Sequence, residues 1–185
     1  GTNHTFYAST DICADCHTGF EAEYIQGGVE DTLHQLQDLL EEKILDLMGE
    51  QIALGYVIDL AGEFQITDVA EVEELIFGEA RGRQAIEVLF VGAEETVGPY
   101  RLTDIDVLDG EVVLGELYDF AEENLPKSGW NYTLVHNDGS LGIHNPTWCF
   151  DILAASIGAL DALAPIEYPD WYDWDLGSPK KMGLK

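Results

Sequence analysis

The chain has 185 residues and a formal charge of -28, because 36 acidic side chains stand against eight lysines and arginines. Hydrophobic residues make up 46% of it, which suits one domain with a core and excludes an acidic disordered tail. Such a charge argues against nucleic acid and anionic lipid as partners. The sequence contains no apolar run of about 18 residues, so it predicts no membrane span.

The first predicted element is an amphipathic helix over residues 29–47, which follows a polar start at 1–19. Its apolar residues recur at steps of three and four, with acidic residues between them. They are Val29, Leu33, Leu36, Leu40, Ile44 and Leu47. We expect Gly27-Gly28 to precede this helix and Gly49 to end it.

The middle of the chain, residues 51–112, predicts a small β-containing insertion. The stretch "IALGYVIDLAGEFQITD" alternates in polarity and has a turn signal at Ala61-Gly62, and "QAIEVLFVG" is typical of a strand. Between them, "VAEVEELIFGEA" predicts a short helix. The stretch "YRLTDIDVLDGEVVLG" predicts a hairpin that turns at Asp109-Gly110.

Helical patterns return near the carboxyl end. "GELYDFAEENL" predicts a helix that ends before Pro126, and a loop is expected from there to Asn145. Pro146 suits the first position of a last helix, with Asn145 as its N-cap. The fold class expected is mainly α with an inserted β-containing lobe (α+β): a helical core from 1–50 and 113–165, the insertion 51–112, and an acidic aromatic tail, 166–185.

The motif "DICADCH" places Cys13 and Cys16 three positions apart, with His17 directly after them. A disulfide across two intervening residues is strained, and a zinc site needs four ligands, of which this motif offers three at most. A thioredoxin-like pair requires a preceding strand, which is not predicted here. Cys-x-x-Cys-His is the signature of c-type haem attachment, so haem is the favoured interpretation.

The second axial ligand decides what such a haem does. The histidines available are His4, His17, His34, His136 and His144. Two histidines on one iron close both axial positions, which leaves electron transfer as the chemistry. The only methionines, Met48 and Met182, do not lie in persuasive positions.

Two segments carry a resemblance to a known family. "NHTFYASTDICADCHTG" resembles the segment around the last haem motif of multihaem c-type cytochromes. "NYTLVHNDGSLGIHNPTWCFDILAASI" resembles their C-terminal signature, which contains Asp-Gly-Ser followed by His-Asn-Pro and a helix. The resemblance covers about residues 3–48 and 114–163 and joins both segments in the family's order.

The resemblance implies a role for each matching residue. Cys13 and Cys16 correspond to the thioether cysteines of one haem c, and His17 to its proximal iron ligand. His144 corresponds to a distal ligand, with His4 as the alternative or as a ligand to a haem in a neighbouring chain. It also implies an electron carrier rather than an enzyme, in the periplasm or at the cell exterior.

The chain departs from the family in having one haem motif where relatives have several. It is therefore either the terminal portion of a longer cytochrome or a one-haem unit that works beside others. The expected partners are other cytochromes or copies of itself, in a homo-oligomer, a filament or a larger multihaem assembly. Two other classes stay open: a haem enzyme with an open axial site, and a non-haem metal-binding or interaction module.

Some residues are expected to have structural roles only. His34 is expected to be solvated at the edge of its helix, and His136 to be exposed in a polar loop. Cys149 is expected to be a buried small hydrophobic residue. The large aromatic residues Trp130, Trp148 and Phe150 are expected to pack rather than to relay electrons.

Overall fold

The structure is a computed structural model that describes residues 22–60, 62–77, 86–102, 124–143, 145–169 and 171–172. Within these residues, helices combine with a small four-stranded antiparallel sheet, a mixture that is compatible with the predicted α+β class. The elements in chain order are α1 (Ala22–Ala53), β1 (Val57–Leu60), β2 (Phe64–Ile66), α2 (Val69–Phe77), β3 (Ile86–Val91), β4 (Thr96–Leu102), α3 (Asn124–Asn137) and α4 (Pro146–Leu160).

Helix α1 forms because its apolar residues fall on one face, and all six that predicted it are buried. It is longer than the predicted 29–47 at both ends, since Ile25 and Met48 continue the buried stripe. The expected glycine boundaries were therefore wrong: Gly27, Gly28 and Gly49 all lie inside the helix.

The carboxyl end of α1 is closed by Gly55, at a φ of +94°. The amide of Tyr56 donates to the carbonyl of Gln51 over 3.0 Å, and that of Gly55 to the carbonyl of Ile52 over 2.9 Å. This pair of bonds is the Schellman arrangement, which favours glycine because the left-handed backbone strains other residues.

The sheet has the order β2-β1-β3-β4, and its neighbouring strands are antiparallel. The predicted turn near Gly62 is confirmed by the pairing of β1 with β2. Tyr100–Leu102 belongs to β4 and pairs with β3, while the predicted turn at Asp109-Gly110 lies outside the described residues. One face of the sheet is buried through Ile58, Leu60, Ile66, Val88 and Phe90.

Helix α3 corrects the prediction of a loop after Pro126. Pro126 lies in its first turn, where a proline is tolerated because its missing N–H has no helical partner there. Leu125, Tyr132 and Val135 are buried along one face. Ser128 lies on the same face and donates its hydroxyl to the carbonyl of Ser156 in α4 over 3.3 Å, so packing holds a helix that local propensity disfavours.

Helix α4 begins at Pro146 and packs against both α1 and α3, which confirms the predicted start. The Asn145 side chain caps it by accepting the Trp148 amide over 3.3 Å. Phe150 is fully buried and contacts the rings of Tyr168, Trp171 and Tyr172. The chain after α4 therefore folds back over the helices as far as Tyr172.

The expectation that the large aromatic residues pack was right for Phe150 and wrong for two tryptophans. Trp130 is 65% exposed and Trp148 is 45% exposed. Trp130 lies on the face of α3 opposite its buried stripe, and Trp148 lies in the first turn of α4.

The two adjacent glycines of α1 offer a test of how the 165–172 segment packs. A Cβ at Gly27 would meet nothing within 4 Å, so Gly27→Ala is expected to stabilise the protein by about 0.5–1 kcal/mol through helix propensity. A Cβ at Gly28 would lie 3.1 Å from Pro169 Cγ and from Trp171 Nε1, so Gly28→Ala should lose that gain. Urea unfolding followed by circular dichroism measures both; equal stabilisation would contradict the packing.

Candidate functional site

The ligand candidates themselves lie outside the described residues. This holds for Cys13, Cys16, His17, His4 and His144. The structure does describe the chain directly after the first motif, where α1 begins at Ala22, and the residues on both sides of His144. The site is therefore built from these neighbours.

The loop before His144 has a tightly folded backbone. Gly139, Leu141 and Gly142 have positive φ angles of 65°, 47° and 81°. The Ser140 hydroxyl donates to the Asp138 carboxylate within the loop. Three left-handed residues in so short a stretch need glycine at most of these positions, which explains the Gly spacing of "DGSLG".

This loop packs on the amino-terminal third of α1. A Cβ built on Gly142 would lie 2.9 Å from Cγ2 of Val29 and 3.5 Å from Cβ of Cys149. One turn earlier in α1, Gln26 donates its side-chain amide to the carbonyl of Ser140 over 3.5 Å. Gly142 thus allows the loop to approach α1 more closely than any larger residue would.

The backbone is hydrogen-bonded on both sides of position 144. The Ile143 amide donates to the Ser140 carbonyl over 3.2 Å, and the Asn145 amide to the Gly142 carbonyl over 3.1 Å. Asn145 then caps α4, and the Cys149 amide donates to the Asn145 carbonyl over 3.1 Å. Asn145 thus links the loop to the start of α4 through its own backbone and side chain.

The described neighbours of the two motifs lie at the same end of α1. The Cys-x-x-Cys-His motif ends five positions before Ala22, the first residue of α1. Val29, which contacts the loop before position 144, is seven residues into the helix, or about 10 Å along its axis.

The remaining histidines divide into one confirmed and one corrected prediction. His34 is exposed on α1, as expected. His136 was wrongly placed in a polar loop: it lies in the last turn of α3 and stacks on Tyr132, with ring centroids 5.5 Å apart. Its Nδ1 is buried and has no hydrogen-bond partner among the described residues. The four-residue spacing of Tyr132 and His136 was the signal for this contact.

The described residues hold no other obvious metal centre. Among them, no three histidine, cysteine, aspartate or glutamate side chains are grouped in a way that could hold a metal ion. No helix of the described part is long and apolar enough to cross a membrane. The order of two thiols and an imidazole in the sequence motif stays a prediction of haem c attachment.

Cys149 is separate from this donor set. It is buried in α4, as predicted, with 4% of its surface exposed. Burial raises the pKa of its thiol to about 11, and the negative charge of Asp138 adds to the rise. The nucleophilic thiolate is therefore scarce near neutral pH.

No protein family, curated protein or solved structure matches this chain. The chemistry of its own residues is therefore the basis for assigning a function.

Because Gly142 contacts α1, replacing it should lower the free energy of unfolding by more than backbone strain alone would. Gly142→Ala should destabilise the protein by about 2–3 kcal/mol, because a Cβ adds a clash with Val29 to the strain of a positive φ. Gly55→Ala is the matched control, since Gly55 also has a positive φ but open space around it. Denaturant unfolding of both variants gives the difference; equal losses would mean that the loop does not press on α1.

The buried thiol predicts slow alkylation of Cys149. In the folded protein at neutral pH the peptide that contains Cys149 should stay unmodified by iodoacetamide, and in urea it should react fully. Because the folded pKa lies above that of the unfolded thiol, the associated stability is present below pH 9 and is lost as the pH rises towards 11. Peptide mass mapping checks the first expectation; rapid native labelling would show that the thiol is accessible.

Proposed function

We propose that this protein is an electron carrier that holds one covalently bound haem c. The observation that carries the proposal is the order of donors in "CADCH", where Cys13, Cys16 and His17 are spaced as haem attachment requires. The resemblance of both motif segments to multihaem c-type cytochromes supports it. The convergence of their neighbours on one end of α1 is compatible with it.

Each ligand candidate has a distinct task in this proposal. The Cys13 and Cys16 sulfurs anchor the group through thioether bonds, and the His17 imidazole occupies the proximal position of the iron. His144 is the preferred distal ligand, because hydrogen bonds of Ile143 and Asn145 fix the backbone beside it. His4 is the alternative distal ligand or binds a haem in a neighbouring chain.

Two axial histidines favour electron transfer over catalysis. When bound, the group supplies a one-electron couple between ferrous and ferric iron. With both axial positions held by imidazoles of this chain, no position is left for a substrate or for oxygen. The 36 acidic residues of the chain favour the more positively charged oxidised state and thus lower the reduction potential, to an extent that salt reduces.

The proposed partners follow from the need for close donors and acceptors. A one-haem unit exchanges electrons with other cytochromes or with copies of itself, as an oligomer, a filament or part of a multihaem assembly. The resemblance places such a protein in the periplasm or at the cell exterior. The negative surface favours partners with basic patches.

Covalent haem attachment predicts a mass and a spectrum. The chain purified from a host that attaches haem c should exceed its polypeptide mass by one haem under denaturing conditions. The adduct should be lost in Cys13→Ser/Cys16→Ser, because no thioether can form. Denaturing mass spectrometry with the Soret absorption measures both; a colourless chain of polypeptide mass would overturn the proposal in favour of a non-haem module.

Distal ligation by His144 predicts a change of coordination in His144→Ala. The wild-type ferrous protein should not bind carbon monoxide, whereas the variant should bind it and lose its low-spin spectrum. His34→Ala is the matched control, since His34 is an exposed histidine of α1. An unchanged spectrum in His144→Ala would exclude His144 and direct the same test to His4 and then to His136. Carbon monoxide binding by the wild type would indicate a haem enzyme instead.

A further inference from the structure

Helix α3 contains an Asn-x-Thr motif, Asn131-Tyr132-Thr133. This motif is the acceptor sequence for N-linked glycans, which are bulky groups attached to surface loops of secreted proteins. The chain has a second copy of the motif at Asn3-His4-Thr5, outside the described residues. The structure thus allows one of the two acceptors, Asn131, to be judged by its surroundings.

The acceptor nitrogen of Asn131 is engaged between two helices. Asn131 is half-buried, and its Nδ2 donates to the hydroxyl oxygen of Ser156 in α4 over 3.0 Å. The Ser156 hydroxyl in turn donates to the carbonyl of Ile152 over 2.8 Å. Ser128 donates to the carbonyl of Ser156, and both serines are buried. Nδ2 of Asn131 therefore belongs to a polar network that joins α3 to α4.

The rest of the motif is also held by the fold. Residues 131–133 lie in the middle of α3, so their backbone is helical and not that of a loop. Tyr132 is buried, stacks on His136 and donates its hydroxyl to the side-chain oxygen of Gln37 in α1 over 3.3 Å. A transferase that binds the motif as an open surface segment would have to unwind α3 and withdraw Tyr132 from the core.

We propose that Asn131 is a glycan acceptor in the unfolded chain only, and that packing of α3 on α4 closes this site. In the transfer, Nδ2 forms a bond to the anomeric carbon of a sugar, and the bond from that carbon to the phosphate of a lipid-linked donor breaks. Nδ2 releases one proton, and the lipid phosphate leaves. This nitrogen must face the donor, whereas in the fold it faces Ser156. Glycan transfer and folding therefore compete for Asn131.

A purified oligosaccharyltransferase with a lipid-linked oligosaccharide tests the proposal on the full chain. Peptide mass mapping follows Asn131 separately from Asn3. In the folded wild type, Asn131 should be modified roughly a hundredfold or more slowly than an open acceptor, because a stable fold exposes it only during rare openings. The proposal does not depend on haem, so the chain can be tested with or without that group.

Two full-length variants supply the open acceptors. Glu94→Asn creates a motif with Thr96 in the exposed turn between β3 and β4, and this new acceptor should be modified in the folded chain. Leu153→Asp places a carboxylate at a fully buried position of α4, should unfold the chain, and should make Asn131 as reactive as the acceptor at position 94. Circular dichroism checks the folded state of each variant.

A third variant connects the modification to the contact between α3 and α4. Ser156→Ala leaves Nδ2 of Asn131 without its acceptor and should raise the modification of Asn131 roughly tenfold, in step with the open fraction measured by urea unfolding. Three results would each overturn the proposal. They are modification of Asn131 in the folded wild type as fast as at position 94, an unmodified Asn131 in the Leu153→Asp chain, and a rate in Ser156→Ala that does not follow its open fraction.

Discussion

The buried stripe of α1 is the surface on which the described helical part is assembled. From Ile25 to Met48 its apolar side chains are almost fully buried, and both α3 and α4 pack against this helix. The loop 138–143 and the segment 165–171 then approach its amino-terminal third at Val29 and Gly28. Because a helix is stiff over this length, every group that touches one of its ends is held at a defined distance from the other end.

The two close approaches have the same physical cause. At Gly28 the missing Cβ leaves room for Pro169 and Trp171, and at Gly142 it leaves room for Val29. Gly28 lies in α1 and Gly142 lies in the loop that packs on α1. In the first contact the helix lacks the Cβ, and in the second contact the loop lacks it. Together they bring the 138–143 loop and the chain after α4 to adjacent positions, Val29 and Gly28, near the start of α1.

Periodicity predicted those elements that bury a stripe of branched aliphatic residues. Helix α1 and the β1–β2 hairpin are of this kind, whereas the start of α4 was predicted from Pro146 and its N-cap Asn145. Helix α3 was missed because Pro126, Ser128 and Gly129 resemble a loop, although small residues there allow α3 to approach Ser156 of α4. Gly28 was predicted to lie before the helix because a glycine often marks a helix boundary. A glycine is needed there because Trp171 packs against it, and no local pattern encodes a contact with so distant a part of the chain.

The candidate ligands were predicted from the sequence in two ways, and they stay predictions. Cys13, Cys16 and His17 were found by donor type and spacing, because covalent haem attachment needs two thiols and one imidazole in this order. His144 and His4 were instead implied by the resemblance to multihaem c-type cytochromes. The contact of the 138–143 loop with α1 was not predictable, because it depends on three positive φ angles. The stacking of His136 on Tyr132 had a signal in their four-residue spacing, but the surrounding sequence resembles an ordinary polar loop.

The sheet side of the fold and the 138–143 loop contact α1 near its opposite ends. Helix α2, which contacts strand β2, approaches α1 at Gly49, where a Cβ would lie 3.7 Å from Cγ2 of Val69. Gly49 is 20 residues from Val29, or about 30 Å along the helix. At physiological salt the Debye length is about 8 Å, so exposed charges on the sheet are screened from the groups that pack on the amino-terminal third of α1. The charges that act on those groups are therefore near the start of α1 or beside the 138–143 loop, as Asp138 is when it adds to the raised pKa of the Cys149 thiol. Residues that build the sheet can thus change without altering the electrostatics at that end of the helix.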